Sequence, residues 1–270
     1  MADIKRIAFI GGGNMAEAII KGLLRENASV PVMVAEISAA RRTYLTSTYP
    51  GIRIVENSAE AAAWGEVVIL AIKPQQATSV LTTLEKILSP DKLIVSIMAG
   101  VRTGTIEEAL ENGSRVVRVM PNTPALVGLG ATAICPGRKT NALDLDRVET
   151  IFAQTGVVVR VDEKLMDAVT GLSGSGPAYV FTFIEALADA GVKNGLPRDI
   201  ASCLAIQTVL GAARMLSTGS EHPAQLRDKV TSPGGTTIAG LHSLENGRFR
   251  GVIMDAVDAA TRRSKELAGK

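Results

Sequence analysis

Through the first half of the chain, short unbroken apolar runs alternate with stretches in which apolar residues return every three or four positions. The runs at 6–10, 32–36, 52–55, 67–71, 93–97 and 116–120 predict strands, and the patterns at 15–25, 39–48, 75–88 and 105–112 predict helices. Most of the runs are apolar throughout instead of alternating, as expected of parallel strands covered by helices on both faces. Two later runs, 131–135 and 157–161, flank a helical pattern at 142–154 and extend the same sheet. The alternation predicts an α/β fold of the doubly wound, Rossmann type.

Beyond Asp162 the pattern reads almost entirely as helix, broken at 173–177, 194–197, 217–223 and 232–235. This change predicts a Rossmann domain over 1–162 and an all-helical domain over 163–270. The helical stretches near 178–190 and 198–215 are apolar on more than one face. A helix that is apolar all round needs to be buried, and a domain of about 108 residues has too little interior for two. A second copy of the chain resolves the conflict, so the C-terminal helices predict an intertwined homo-oligomer.

Composition narrows the class without naming a chemistry. With 46% apolar residues and a formal charge of +2, the chain reads as soluble and globular with no strong field. Mixed charges and 3% aromatics argue against a nucleic-acid surface. The N-terminal apolar run is too short for a secretory signal. The uncharged stretch 200–213 carries Ser202, Gln207 and Thr208, which suits a buried helix better than a membrane span. A cytoplasmic protein without a membrane or nucleic-acid partner is expected. Cys135, Cys203, His222 and His242 are scattered, with neither a disulfide framework nor metal-ligand spacing.

Directly after the first strand stands Gly11-Gly12-Gly13-Asn14-Met15-Ala16, a G-x-G-x-x-A turn opening a helix. Gly11 permits the tight turn, Gly13 lets a pyrophosphate approach the backbone, and Ala16 allows close packing of helix on strand. The helix start carrying Asn14 and Met15 supplies unpaired amides to the phosphates. Glu36 ends the second strand, where an acidic side chain bonds the adenosine ribose and repels a 2′-phosphate. Ser38, Arg41 and Arg42 follow and offer the opposite preference, with solvated helix charge as the competing reading of the arginines. The cofactor is therefore NADPH or NADH. Ala71, Lys73 and Pro74 end the fourth strand, and Met120, Pro121 and Asn122 the sixth, at the carboxyl edge where ligands lie in such sheets. The prolines give the second of these edges a rigid shelf suited to a nicotinamide ring; an ordinary strand-end loop has the same composition.

The run 227–241 reads Arg-Asp-Lys-Val-Thr-Ser-Pro-Gly-Gly-Thr-Thr-Ile-Ala-Gly-Leu. Its Ser-Pro-Gly-Gly centre stops one helix and a new one follows. Unpaired amides at that start favour an anion, and the hydroxyls of Ser232 and Thr237 bracket it. A plain capped loop is the alternative. A second start of small residues, Ser173-Gly174-Ser175-Gly176-Pro177, places a proline at the first helical position.

These segments resemble the pyrroline-5-carboxylate reductase family. The resemblance rests on Val-Thr-Gly-Leu-Ser-Gly-Ser-Gly-Pro-Ala-Tyr at 169–179 and the run at 230–241. The glycine turn, Ala-Ile-Lys-Pro at 71–74, Val-Met-Pro-Asn-Thr-Pro-Ala at 119–125 and Ala-Asp-Ala-Gly-Val at 188–192 extend it over essentially the whole chain. The resemblance implies hydride transfer from NAD(P)H to C5 of 1-pyrroline-5-carboxylate, giving L-proline. It also implies that the helical domain dimerises and binds substrate, with dimers assembling into larger rings such as a decamer. Carried over by residue, Thr237 lies near the ring nitrogen as proton donor. Ser232, Gly234, Gly235 and Thr236 hold the carboxylate, with Ser175 and Gly176 beside them. Asn57, with residues 35–38, lies near the adenosine ribose. Glu36 departs from strongly NADP-preferring members.

Reduction of a C=N bond needs a hydride donor, an electrophilic imine and a proton for nitrogen, so the absence of a catalytic His or Asp is no obstacle. Cofactor motifs occupy the first half and substrate motifs the second, so the complete site is expected to need both, the second from a partner chain if the dimer is intertwined. Two rival readings keep the fold: a related imine or 3-hydroxyacid reductase, and a non-catalytic dinucleotide sensor. The 3-hydroxyacid enzymes depend on a helix-borne lysine followed by asparagine. Here Lys193-Asn194 has that order at a helix end just before Gly195-Leu196-Pro197.

Overall fold

The computed structural model describes residues 4–25, 30–111 and 113–268. They form two compact units, one of residues 1–175 together with 259–270 and one of residues 176–258. The first unit is built on an eight-stranded sheet in the order β3-β2-β1-β4-β5-β6-β7-β8. Its strands are β1 (Ile7–Ile10), β2 (Val32–Ala35), β3 (Arg53–Val55), β4 (Val67–Leu70), β5 (Leu93–Ser96), β6 (Arg115–Met120), β7 (Gly130–Pro136) and β8 (Gly156–Arg160). All pair in parallel except β6 with β7, where Met120 lies opposite Ala133. The intervening helices are α1 (Asn14–Arg25), α2 (Ala39–Thr48), α3 (Ser58–Trp64), α4 (Ala77–Glu85), α5 (Thr103–Leu110) and α6 (Ala142–Ala153).

Alternate residues of the strands feed opposite faces, and both faces are buried through the middle of the sheet, whereas Val157 and Val159 of the edge strand β8 are exposed. On one, Ile7, Phe9, Val67 and Ile69 pack against Ile19 and Ile20 of α1 and Phe152 of α6. On the other, Ala8, Val68 and Leu70 meet Ala61 of α3, Leu84 of α4 and Ile106 of α5. Each fully buried aliphatic side chain contributes about 1.5–3 kcal/mol, which is why continuous apolar strands belong here. This double layer confirms the α/β Rossmann-type architecture.

Local chemistry sets the boundaries. Ser38 caps α2 by accepting from the Arg41 amide, so that helix begins and ends where the pattern places it. α3 escapes a periodicity argument because its core is an alanine run, whose signal is the cap Asn57, with Oδ1 accepting from Ala59 N at 2.8 Å. The pattern at 75–88 starts instead as a 3₁₀ turn at Pro74–Gln76 and yields a helix only over Ala77–Glu85. The helix predicted over 105–112 begins earlier, at Thr103; Asn112 lies outside the described residues.

After β8 the chain is helical: α7 (Met166–Val169), a π-turn at Thr170–Gly174, then α8 (Gly176–Lys193), α9 (Arg198–Thr218), α10 (Pro223–Lys229), α11 (Thr236–Asn246) and α12 (Phe249–Ala268). Within the second unit α8 packs on α9 at small residues: a Cβ on Gly191 would stand 2.9 Å from Ala201 Cβ. Among its described residues only Ala188, Ala201 and Ala205 are buried apolar side chains. Phe181, Leu204, Ile206, Leu210 and Met254 are all more than half exposed. α9 is the one described helix long and apolar enough to cross a membrane, and little of it is covered.

Candidate active site

The glycine turn is clamped at its middle residue. Gly12 N donates to Glu36 Oε2 at 2.8 Å, and Gly12 O accepts from Arg41 Nε at 2.6 Å. Glu36 Oε1 also accepts from Ser38 N at 2.8 Å. Arg41 in turn donates to Glu17 Oε2, while the Tyr44 and Tyr49 hydroxyls donate to Glu17 Oε1, each at 2.9 Å. Neither arginine is a solvated helix charge: Arg42 donates to the carbonyls of Glu36 and Ile37 and pairs with Glu56. Sequence reasoning missed this clamp because Glu17 and Tyr49 carry no motif.

Burial alone would raise the Glu17 carboxyl. The bonds from Arg41, Tyr44 and Tyr49, with the guanidinium charge, outweigh it and hold the group below its ordinary 4.5. The same contact, after burial, pushes the Tyr49 hydroxyl up to about 12. A carboxyl lowered in the folded state stabilises the protein above its unfolded pKa and loses that contribution as pH falls through the folded value. Glu17→Gln should therefore cost about 2 kcal/mol near neutrality. In thermal melts the gap between wild type and variant should close as pH drops from about 5 towards 2. A gap unchanged across that range would mean that the carboxylate is not what holds the turn.

Around the clamp, the turn fits a dinucleotide. Gly11 has φ +100° and a Cβ there would stand 2.5 Å from Ala71 O, so only glycine fits. Gly13 is different, since a Cβ there would meet nothing within 4 Å. The protein's own packing does not require that glycine, and the backbone there is open to a ligand. The amides of Gly13, Asn14, Met15 and Ala16 find no acceptor among the described residues. At the neighbouring strand ends, Ala71 N donates to Ile10 O at 2.8 Å, and Pro74 opens the 3₁₀ turn. The Lys73 ammonium is exposed and without a partner among the described residues. Asn57 is exposed, with only its Oδ1 spent on the cap.

Met120 and Asn122 lie at the end of β6, and Asn122 is buried. Its Oδ1 accepts from Ala131 N at 2.9 Å and its Nδ2 donates to Ser173 O at 3.0 Å. The shelf and the π-turn are thus joined within the first unit. The described hydroxyls of the two Ser/Thr-rich segments fall into two sets. Thr170, Ser173 and Thr231 donate back to the carbonyls of Met166, Val169 and Arg227, as helical hydroxyls commonly do. Ser175, Ser232, Thr236 and Thr237 have no side-chain partner among the described residues.

In the second unit, the turn at residues 232–235 closes with Gly235 N donating to Ser232 O at 3.1 Å, with Gly234 at φ +68°. A Cβ on Gly235 would collide with Ser232 Oγ. The amides of Thr236, Thr237 and Ile238 at the start of α11 lack acceptors among the described residues, and the Thr237 side chain is half-buried. A cleft of about 630 Å³ lies alongside, lined by Thr231, Gly234, Gly235, Ile238, His242 and Glu245 among others; neither Ser232 nor Thr237 lines it. His242 faces Asn246 across 3.1 Å and walls this cleft. Cys135 is no candidate nucleophile: burial, then Glu163, pushes its thiol up to about 12.

Comparison with known proteins agrees with this geometry. Residues 163–267 match a family model described as pyrroline-5-carboxylate reductase dimerisation, and residues 6–100 match one described as NADP oxidoreductase, coenzyme F420-dependent. A pyrroline-5-carboxylate reductase from Synechocystis sp. is 50% identical over 267 residues, covering 98% of this chain and 99% of that one. The solved pyrroline-5-carboxylate reductase of Coxiella burnetii superposes with a TM-score of 0.93 at 38% identity, covering 98% and 99% of the two chains. A Plasmodium falciparum pyrroline carboxylate reductase solved with NADP bound gives a TM-score of 0.87 at 36% identity, covering 99% of each. With likeness of this degree along nearly its full length, the chain belongs to the pyrroline-5-carboxylate reductase family.

Proposed function

We propose that the protein reduces 1-pyrroline-5-carboxylate to L-proline with NADPH or NADH; its relatives are named pyrroline-5-carboxylate reductases, and one was solved with NADP bound. The observation that carries this reading is the start of α11. Three amides without acceptors stand there next to two hydroxyls without partners, on Ser232 and Thr237. Such an array binds a carboxylate and still has a donor left for a second atom.

A reduced nicotinamide dinucleotide held by its pyrophosphate at the glycine turn would supply the hydride for C5 of the imine. The chain's residues bind and orient. Gly11, Gly13, Asn14 and Met15 receive the pyrophosphate; Glu36, Ser38 and Asn57 face the adenosine ribose; Ala71, Lys73 and Pro74, with Met120 and the backbone of Asn122, flank the rest of the dinucleotide. Ser232, Gly234, Gly235 and Thr236, with Ser175 and Gly176, hold the substrate carboxylate. Thr237 donates to the ring nitrogen, where the new N–H forms. The division of labour is dinucleotide binding by 1–162 and substrate binding with self-association by 163–270. The protein works as a soluble cytoplasmic homodimer, or a larger ring of dimers, whose contact covers the apolar faces of α8 and α9.

Mixing purified protein with 1-pyrroline-5-carboxylate and each reduced cofactor tests the reading, with nicotinamide absorbance as the signal. The expected result is oxidation of cofactor only when the imine is present, with proline formed in equal amount. Cofactor that binds but stays reduced would leave a dinucleotide sensor; oxidation with a 3-oxoacid instead would leave the other rival.

A further inference from the structure

The join between β6 and the π-turn has a chemical reason. In a regular helix the Ser173 carbonyl would accept from the amide four residues on, but that residue is Pro177, which has no N–H. The turn is wound one residue wide, with Ser175 N donating to Thr170 O at 2.9 Å. The orphaned carbonyl takes its donor from outside the segment, from Asn122 Nδ2 at 3.0 Å. Asn122 is itself fixed at its other end, where Oδ1 accepts from Ala131 N of β7 at 2.9 Å. A second contact presses the turn on the same strand end: a Cβ on Gly174 would stand 2.7 Å from Met120 Cε. Each polar end of the buried amide is engaged within the protein, one to the π-turn and one to β7.

We infer that Asn122 is a positioning residue for substrate, which supplies the hydrogen bond withheld by Pro177 and so fixes the π-turn that leads into Ser175 and Gly176. The inference rests on the reading of Ser175 and Gly176 as substrate ligands. Asn122 acts through the π-turn, with the cofactor untouched by its side chain. One hydrogen bond to a backbone carbonyl amounts to roughly a tenfold effect when it holds a binding segment in place.

The test is Asn122→Asp, which keeps an acceptor for Ala131 N and removes the donor to Ser173 O; Asn122→Ala serves if the aspartate prevents folding. Three quantities are measured: KM and kcat for 1-pyrroline-5-carboxylate, the Kd of L-proline by calorimetry, and the Kd of each oxidised cofactor by calorimetry. The expected result is a rise of about tenfold in KM and in the proline Kd, with cofactor Kd within about twofold of wild type. A cofactor Kd that rises as much as KM would place Asn122 on the dinucleotide and overturn the inference, as would unchanged KM and proline binding in a folded variant. Failure of the underlying functional reading looks different, because the wild type itself would then neither turn over the imine nor bind proline.

Discussion

Thr237→Ala should slow turnover of 1-pyrroline-5-carboxylate by about 10²-fold while leaving cofactor affinity and thermal stability near wild type. The hydroxyl sits at the second helical position of α11, half-buried, and makes no hydrogen bond among the described residues. Removing it therefore breaks nothing in the fold, and the loss reports on chemistry alone. A threonine hydroxyl is too weak an acid to protonate an amine unaided. Its physical role is to hydrogen-bond the ring nitrogen, either orienting an iminium that is already protonated or passing on a proton from solvent. Both require the oxygen and not the methyl, so Thr237→Ser should keep most of the activity. Steady-state kinetics of the two variants beside calorimetry of cofactor binding decide the matter. An alanine variant with wild-type kcat would take Thr237 out of the proton path altogether.

That expectation rests on a residue legible from sequence, and so does most of the scaffold around it. The strands could be read because most are continuous apolar runs, such as Val-Val-Ile-Leu in β4, which starts after Glu66 and gives way to Lys73-Pro74. α2 could be read to the residue because Ser38 announces its start. What escaped were interactions between segments with no local signature. Arg41 and Arg42 look like candidates for a phosphate until the structure shows them committed to Gly12 O, Glu17, Glu56 and two strand-end carbonyls. The bond from Asn122 spans 51 residues and joins two stretches that each look like loops. Its only trace in the sequence is Pro177, whose missing N–H implies a carbonyl in need of a donor but cannot say where the donor lies.

The second large effect concerns the helices that appeared too apolar for their domain. Leu204→Glu should abolish self-association, so that sedimentation finds monomer or aggregate where the wild type sediments as a dimer or larger. Leu204 is 53% exposed within one chain, on a helix whose buried positions are only Ala201 and Ala205. Ala201 is spent on α8, against Gly191. With Ile200, Ile206 and Leu210, more than 45% of whose surface is likewise exposed, Leu204 shows that α9 presents apolar surface in several directions. Large apolar side chains exposed in this number mark an interface, and the family model covering α9 is one for dimerisation. A glutamate placed in such an interface would be desolvated without a partner, costing several kcal/mol for each copy. Within a single chain the same glutamate would stand in water at no cost. Stability of the isolated fold and association are therefore separable here: circular dichroism should show the helices retained at low concentration while the sedimentation coefficient falls. An unchanged coefficient would mean that the dimer is built on another face of the helical domain, and the exposed leucines of α9 would then need a different cover.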